Sequence, residues 1–368
     1  MLSLDFSLDF SDFQLALRET LPATGVTALF GRSGSGKSTL LRVVAGLERS
    51  AMGRIAWGDE IWQDKAQFMA PHKRGLGYVF QDTRLFPHLS VAGNLAYADS
   101  RAKGLPGPSL SEVTEALDLG PLLGRNPTTL SGGEQSRAAI GRALLARPKL
   151  LLMDEPLAAL DEARRAEILP YLERLRDHLG VPMLYVSHSV AEVARLANHL
   201  LLIEAGQITQ RGSAVDLFSD PAIAPAFGLR EVGALLDARI AAQEPDGLTL
   251  LKSDAGALLL PQLAGPPGTA LRLRILAQDV MLATTRPSDI SALNVLPATV
   301  TALRSGQGPG ALVQLQVGQA LLLARITQRS ATNLGLTPGM PCFAVLKSVS
   351  VAPLNISHMT NDRKSAKT

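Results

Sequence analysis

Cysteine is nearly absent from this chain: Cys342 is the only one in 368 residues. An internal disulfide is thereby excluded, and such usage fits a reducing cytosol. Long apolar runs are missing as well, since no stretch of about 18 uninterrupted apolar residues is present to cross a bilayer as a helix. The opening MLSLDFSLDF carries acids and has no basic flank before an apolar run, so it does not read as a secretory signal. Charge of one sign is scarce too. The formal balance is only +3, part of it in the closing NDRKSAKT, and a nucleic-acid partner is not indicated. A protein of this kind would serve a membrane from outside the lipid.

What is present is a core and a division. Hydrophobic residues make up 46% of the chain, enough for a sizeable interior, and the length predicts two or three domains. Over the first part, the apolar runs Val26–Phe30, Leu150–Met153 and Met183–Val186 predict strands buried on both faces of a parallel sheet. Helical patterns follow them, from Lys37 to about Leu47, Glu162 to His178 and Val190 to Asn198, which predicts a doubly wound α/β core. Leu-, Gly- and Pro-rich residues from about 88 to 140 read as a helical insertion. After about Arg230 the helix period fades. Short Val/Leu/Ala segments alternate there with GPPG, SGQGPG and TPGMP turns, predicting one or two small β-barrel modules. A weak internal likeness relates 235–280 to 295–350.

Two motifs carry phosphate chemistry. Gly31, Arg32, Ser33, Gly34, Ser35, Gly36, Lys37, Ser38 and Thr39 spell G-x-x-x-x-G-K-S-T directly after a strand and at a helix start. Glycines let backbone N–H groups converge on phosphate oxygens, and the helix N-terminus favours the negative charge. Lys37 would reach the outer phosphates and Ser38 would help hold Mg²⁺. Asp154 and Glu155 stand just past the strand from Leu150, at the sheet edge where ligands of open α/β folds bind. Asp154 is placed for Mg²⁺, and Glu155 to polarise an attacking water.

Leu130-Ser131-Gly132-Gly133-Glu134-Gln135 is a third motif. Ser131 and Glu134 form an S-x-x-E capping box, and the two glycines leave a bare helix tip that a phosphate can approach. With these motifs in this order, residues 1–230 resemble the ABC ATPase family, a P-loop NTPase domain. The resemblance implies that Ser131, Gly132, Gly133 and Glu134 face the γ-phosphate of ATP held by a second copy, so that a homodimer sandwiches two nucleotides. Gln81 matches the glutamine that senses Mg²⁺ and the transporter interface, His188 the switch histidine, and Asp161 the D-loop acid, where Ala159 replaces the usual serine. Phe10 and Phe13 are candidates to stack on adenine, Phe13 preferred; both read equally as core residues of a hairpin. Leu85, Phe86 and Leu89, in the segment after Gln81, suit docking of a membrane subunit.

The C-terminal part resembles the small Mop (TOBE-like, OB-like) oxyanion-binding barrel over residues 291–353, after a linker and first β segment at 231–290 and before a tail at 354–368. Ser291, Thr327, Ser330, Lys347 and Ser348 match its ligand positions, with molybdate or tungstate as the implied ligand. A regulatory or dimer-stabilising module is the competing reading. Taken whole, the chain is similar to the molybdate-importer type of ABC ATP-binding subunit. That implies ATP and Mg²⁺, two integral membrane permease subunits, an indirect link to an external molybdate-binding protein, and a peripheral place on the cytoplasmic face of the membrane. Importers of tungstate, sulfate, iron or polyamine carry similar ATPase halves. A soluble molybdate-responsive ATPase is the more distant alternative.

Overall fold

The computed structural model describes residues 1–10, 13–102, 104–158, 160–228, 230–306 and 308–359. Two compact units divide the chain, Met1–Gly212 and Ser213–Thr368.

In the first unit, strands β1 (Leu2–Asp9) and β2 (Gln14–Leu21) form an antiparallel hairpin in which Asp9 faces Gln14. Leu2, Leu4, Phe6 and Leu8 alternate inward, as the two-residue strand period requires. Next come β3 (Val26–Phe30), helix α1 (Lys37–Val44), β4 (Met52–Trp57), β5 (Glu60–Gln63) and β6 (Leu76–Val79). Helices α2 (Val91–Arg101), α3 (Leu110–Ala116) and α4 (Gly132–Leu145) then precede β7 (Leu150–Asp154), α5 (Glu162–Arg174), β8 (Met183–Val186), α6 (Val190–Leu196), β9 (His199–Glu204) and β10 (Gln207–Ser213). One sheet has the order β2-β1-β4-β5; the other runs β10-β9-β3-β8-β7-β6. The pairs β3–β9, β3–β8, β8–β7 and β7–β6 are parallel, so β3 lies inside the sheet.

Helix α1 fills the space between the sheets. Its Leu40, Leu41, Val43 and Val44 share a core with Leu4 and Leu15 of the antiparallel sheet and with Leu29, Leu152 and Val186 of the parallel one. Each such fully buried aliphatic side chain contributes about 1.5–3 kcal/mol relative to exposure. The opposite face of the parallel sheet, through Val79, Leu151, Met153 and Tyr185, packs on the helical region.

Several element ends differ from the sequence expectation, each for a local reason. Helix α1 stops at Val44 because Gly46 adopts φ +73 beside the guanidinium of Arg74; a Cβ there would lie 2.6 Å from its Cζ. The helix expected to His178 leaves α geometry after Arg174 for a π turn, Leu175–Leu179. Helix α6 ends at Leu196, since the Asn198 side chain accepts from the N–H of Val26 at 2.9 Å. The helical region reaches Leu145 rather than 140, because α4 keeps Leu144 and Leu145 buried to its end. Among the described residues, no helix is long and apolar enough to cross a membrane.

In the second unit, short helices α7 (Ala214–Phe218) and α8 (Ala224–Phe227) precede the strands, joined by stacked Phe218 and Phe227 rings 4.5 Å apart. The strands are β11 (Gly233–Gln243), β12 (Leu248–Ser253), β13 (Gly256–Pro261), β14 (Ala270–Leu276), β15 (Val280–Ala283), β16 (Asn294–Ser305), β17 (Gly310–Val317), β18 (Ala320–Thr327), β19 (Pro341–Leu346) and β20 (Ile356–Met359), with α9 (Gln328–Asn333) after β18. They form two five-stranded sheets, β13-β12-β11-β14-β20 and β15-β19-β16-β17-β18. A single apolar core serves both.

The two sheets repeat one topology. Each begins with a long strand bulged near its middle, at Ile240/Ala242 and at Val300/Ala302, continues as a three-stranded meander, and returns beside the first strand. Each takes its fifth strand from the chain that follows the other's meander and return. This corrects two boundaries. The segment 231–290 is more than a linker and one β segment: it supplies a complete meander and gives β15 to the second sheet. The stretch 354–368, expected as a tail, contributes Ile356–Met359 as the edge strand on β14, while 360–368 lie outside the described residues. The first boundary also falls earlier than 230, at Gly212. Buried Asn294 joins the sheets, accepting from Leu259 N–H at 2.7 Å and donating to its carbonyl at 3.0 Å. Asn294→Ala strands both groups, and a loss of about 2 kcal/mol is expected in denaturant melts of the chain.

Candidate nucleotide site

The phosphate loop leaves the carboxyl end of β3. Gly31 is fixed by close approach, because a Cβ there would stand 2.2 Å from the carbonyl oxygen of Ile203. Gly36, at φ +102, carries the turn into α1. Arg32, Ser33 and Gly34 form the exposed rim, Thr39 is half-buried, and the hydroxyl of Ser35 is buried with no hydrogen-bond partner. A buried orphan hydroxyl in a loop of this kind fits a polyanion guest. The buried Lys37 ammonium turns into the loop and donates to the carbonyls of Gly31 at 2.8 Å and Arg32 at 2.9 Å. Burial lowers its pKa, opposed by the charges of Glu155 and Asp154.

Those two acids enter from β7, two strands from β3 in the sheet. Asp154 accepts from the Ser38 hydroxyl at 2.8 Å through Oδ1 and from the Tyr78 hydroxyl at 3.2 Å through Oδ2. Burial raises its pKa, against the pull of both hydroxyls. Tyr78 is itself held well above its ordinary range, first by burial and then by the Asp154 charge. The Ser38–Asp154 pair offers hard oxygen ligands of the sort Mg²⁺ takes when substrate phosphates complete its shell. Among the described residues no cluster of three acids, histidines or cysteines forms a self-sufficient cage. Glu155 sits at φ +46, rare for a residue with a Cβ, with its N–H donating to Val186 at 3.1 Å. That conformation turns its carboxylate to His188, whose Nδ1 is 3.2 Å from Oε2. The buried Glu192 carboxylate accepts from both Ser187 and Tyr185 hydroxyls at 2.7 Å and so fixes the turn carrying His188.

Phe13 packs toward the loop: a Cβ on Gly36 would meet its Cζ at 2.9 Å. Phe10 is 48% exposed, its ring 6.0 Å from that of Phe13. Phe13 thus packs both in the hairpin core and beside the turn into α1.

Ser131 caps α4 through the capping box: its N–H donates to Glu134 at 2.7 Å, and its hydroxyl accepts from the Glu134 N–H at 3.4 Å. The backbone bond from Ser131 holds the Glu134 carboxyl below its usual range. Gly132 and Gly133 sit against Leu160 and Ile168, where a Cβ would meet carbon at 3.2 Å. Asp161 caps α5 by accepting from Arg164 N–H at 2.9 Å; Ala159 lies outside the described residues. Among the described residues, no hydrogen bond or ion pair joins Ser131–Glu134 to the phosphate loop of the same chain.

Gln81 is exposed two residues beyond β6. The segment after it is half-buried at Leu85, Phe86 and Leu89, less open than expected, because buried Asn94 grips it. Asn94 accepts from Phe86 N–H at 2.8 Å and donates to the carbonyls of Phe86 and Ser90 at 3.1 and 3.0 Å. Arg142 and Gln135 of α4 reach the same segment at Thr83. None of Asn94, Arg142 or Tyr78 carries a motif signal, since each acts through contacts distant in sequence, and Gln135, though it closes the third motif, is marked there for no contact with Thr83.

Among the described residues, no hydrogen bond joins the Thr327–Ser330 pair to Ser291, Lys347 or Ser348. Thr327 and Ser330 hydroxyls, 2.8 Å apart, cap α9 where β18 ends. Ser291, Lys347 and buried Ser348 lie near the Asn294–Leu346 pair, at the other end of the 12-residue β16.

The ABC transporter family model matches residues 16–158 and the TOBE domain model residues 290–353. Molybdenum import ATP-binding protein ModC of Methylococcus capsulatus is 47% identical over 348 residues, covering 94% of this chain and 98% of that protein. ModC 1 of Azotobacter vinelandii is 48% identical, covering 94% and 97%, and ModC of Rhizobium meliloti 49%, covering 89% and 93%. A nucleotide-free ATP-binding cassette from an ABC transporter shares the fold, at TM-score 0.50 and 24% identity over 61% of this chain and 98% of that one. The motif order, the two-part architecture and these near full-length likenesses agree, and the chain belongs to the ModC family of ABC transporter ATP-binding proteins.

Proposed function

We propose that this chain is the ATP-hydrolysing subunit of a molybdate importer, working as a homodimer on the cytoplasmic face of a membrane. The observation that carries the ATPase reading is the convergence of Lys37, the Ser38–Asp154 pair and the Glu155–His188 pair at one edge of the parallel sheet. The cargo rests on relatives named for molybdenum import that match both units of the chain.

In this reading, backbone N–H groups of residues 31–37 and the Lys37 ammonium bind the phosphates of ATP, and Phe13 offers its ring to adenine. Ser38, Asp154 and Gln81 would hold Mg²⁺, which would neutralise charge on the outer phosphates when bound. Glu155 accepts a proton from water as its oxygen bonds to the γ-phosphorus and the bond to ADP breaks. Lys37 offsets the charge that develops, and His188 orients Glu155. Ser131, Gly132 and Gly133 reach the phosphate of the partner copy, with Asp161 at the same boundary. Two permease subunits dock on the segment after Gln81, and an external binding protein acts through them. Ser291, Thr327, Ser330, Lys347 and Ser348 offer donors for an oxyanion, molybdate or tungstate, in the second unit.

The test is the complex purified from membranes with its permease. Molybdate-loaded binding protein is expected to raise its ATPase several-fold, tungstate to compete, and sulfate, iron and polyamine to be inert. Stimulation by one of the latter group instead would overturn the cargo assignment.

A further inference from the structure

Asp154 has each carboxylate oxygen committed to a different hydroxyl, Oδ1 to Ser38 and Oδ2 to Tyr78. Ser38 belongs to the phosphate motif; Tyr78 does not. Its ring stacks on Phe80 with centroids 4.0 Å apart and planes 20° from parallel. Above Phe80, at 4.0 Å from its centroid, lies the guanidinium of Arg84. Arg84 reaches that place by folding back through a left-handed backbone at φ +47, three residues after Gln81. A continuous column therefore runs from the segment after Gln81 to Asp154. Packing alone does not call for a tyrosine at its base, because phenylalanine stacks as well. The hydroxyl is what differs, and it is aimed at the carboxylate. At 3.2 Å this bond is at the long end for two oxygens, so a ring shift of a few tenths of an ångström makes or breaks it.

We propose that Tyr78 and Phe80 are positioning residues for Asp154: the Arg84–Phe80–Tyr78 column orients the carboxylate that receives Mg²⁺, and so links the segment after Gln81 to metal retention. The inference rests on the reading of Asp154 as the Mg²⁺ carboxylate. It concerns how that group is held, which the reading itself leaves open. Hydrogen-bond partners of metal-ligating carboxylates typically alter affinity by about 10–100-fold when removed. Tyr78→Phe removes only the hydroxyl, and Phe80→Leu removes the stack that fixes the ring.

The experiment titrates Mg²⁺ into the purified full chain with a fluorescent ATP analogue, reading the Mg²⁺ concentration at half-maximal tight binding, with melting temperature alongside. Tyr78→Phe is expected to raise that concentration about tenfold while leaving metal-free analogue affinity and melting temperature unchanged. Phe80→Leu should raise it less, about threefold, and the double variant should match Tyr78→Phe alone, since Phe80 acts through the hydroxyl. Should Phe80→Leu fold poorly, Arg84→Ala takes its place in the cycle with the same sign. A Tyr78→Phe value within twofold of wild type, or a double variant equal to the product of the single effects, overturns the proposal. Asp154→Asn is the control: if it leaves the Mg²⁺ requirement unchanged, the metal reading of Asp154 fails, whatever the column does.

Discussion

Glutamine in place of Glu155 is expected to lower ATP turnover by about 10²–10⁴-fold, the usual contribution of a positioned general base, while ATP affinity stays within a few-fold of wild type. The argument is geometric. Glu155 lies outside the phosphate loop, so Lys37, Ser38 and the loop amides keep their places in the variant. The amide is nearly the same size as the carboxylate, and its oxygen still reaches His188 across the 3.2 Å contact. What disappears is the carboxylate placed to take the water proton, while Asp154 is committed to two hydroxyls. Bound ATP then outlives the encounter of two copies, and the closed dimer accumulates. Steady-state phosphate release and light scattering with Mg-ATP measure the two consequences together. Turnover within tenfold of wild type, or a monomer at saturating ATP, removes Glu155 from the role.

The parts of this site legible in the sequence are those whose geometry is covalently local. The phosphate loop, the acid pair after β7 and the capping box are short runs in which spacing alone dictates placement. Strands Val26–Phe30 and Met183–Val186 fall where their unbroken apolar runs predict, because a strand buried on both faces leaves no polar position to blur its ends. Legibility fails where partners are far apart in sequence. Residues 280–283 and 356–359 are four-residue strands whose pairing is set by sheets built elsewhere in the second unit, so the sequence leaves them in a linker-and-first-segment stretch and a tail. The column above Asp154 spans 76 residues of sequence at its hydroxyl contact.

The largest stability effect is expected at a residue that no motif marks. Arg74 is fully buried and donates to the carbonyls of Val43, Val44 and Met69 at 3.1, 2.8 and 3.0 Å. The first two are the last carbonyls of α1, the helix that opens with Lys37. A cation there satisfies the Val44 carbonyl, supplements the Gly46 N–H on that of Val43, and opposes the helix dipole. Burial pushes the guanidinium pKa down to about 10, so it remains charged at neutral pH. The rings of Trp62 and Phe68 lie 5.9 and 5.1 Å away, which keeps water from replacing it. Arg74→Met preserves much of the volume but strands the carbonyls of Val44 and Met69, each costing about 1–3 kcal/mol, while that of Val43 keeps the Gly46 N–H at 3.0 Å. A total loss of about 2–5 kcal/mol follows, toward the upper end for one substitution. Arg74→Lys is expected to recover little of it, since one ammonium on a flexible stem does not reproduce the fixed fork that spans all three acceptors. Both tryptophans of the chain, Trp57 and Trp62, stack 6.1 Å apart in this unit, so fluorescence during urea unfolding reports it separately from the second. A shift below about 1 kcal/mol would mean that water or a neighbouring donor reaches the end of α1 after all.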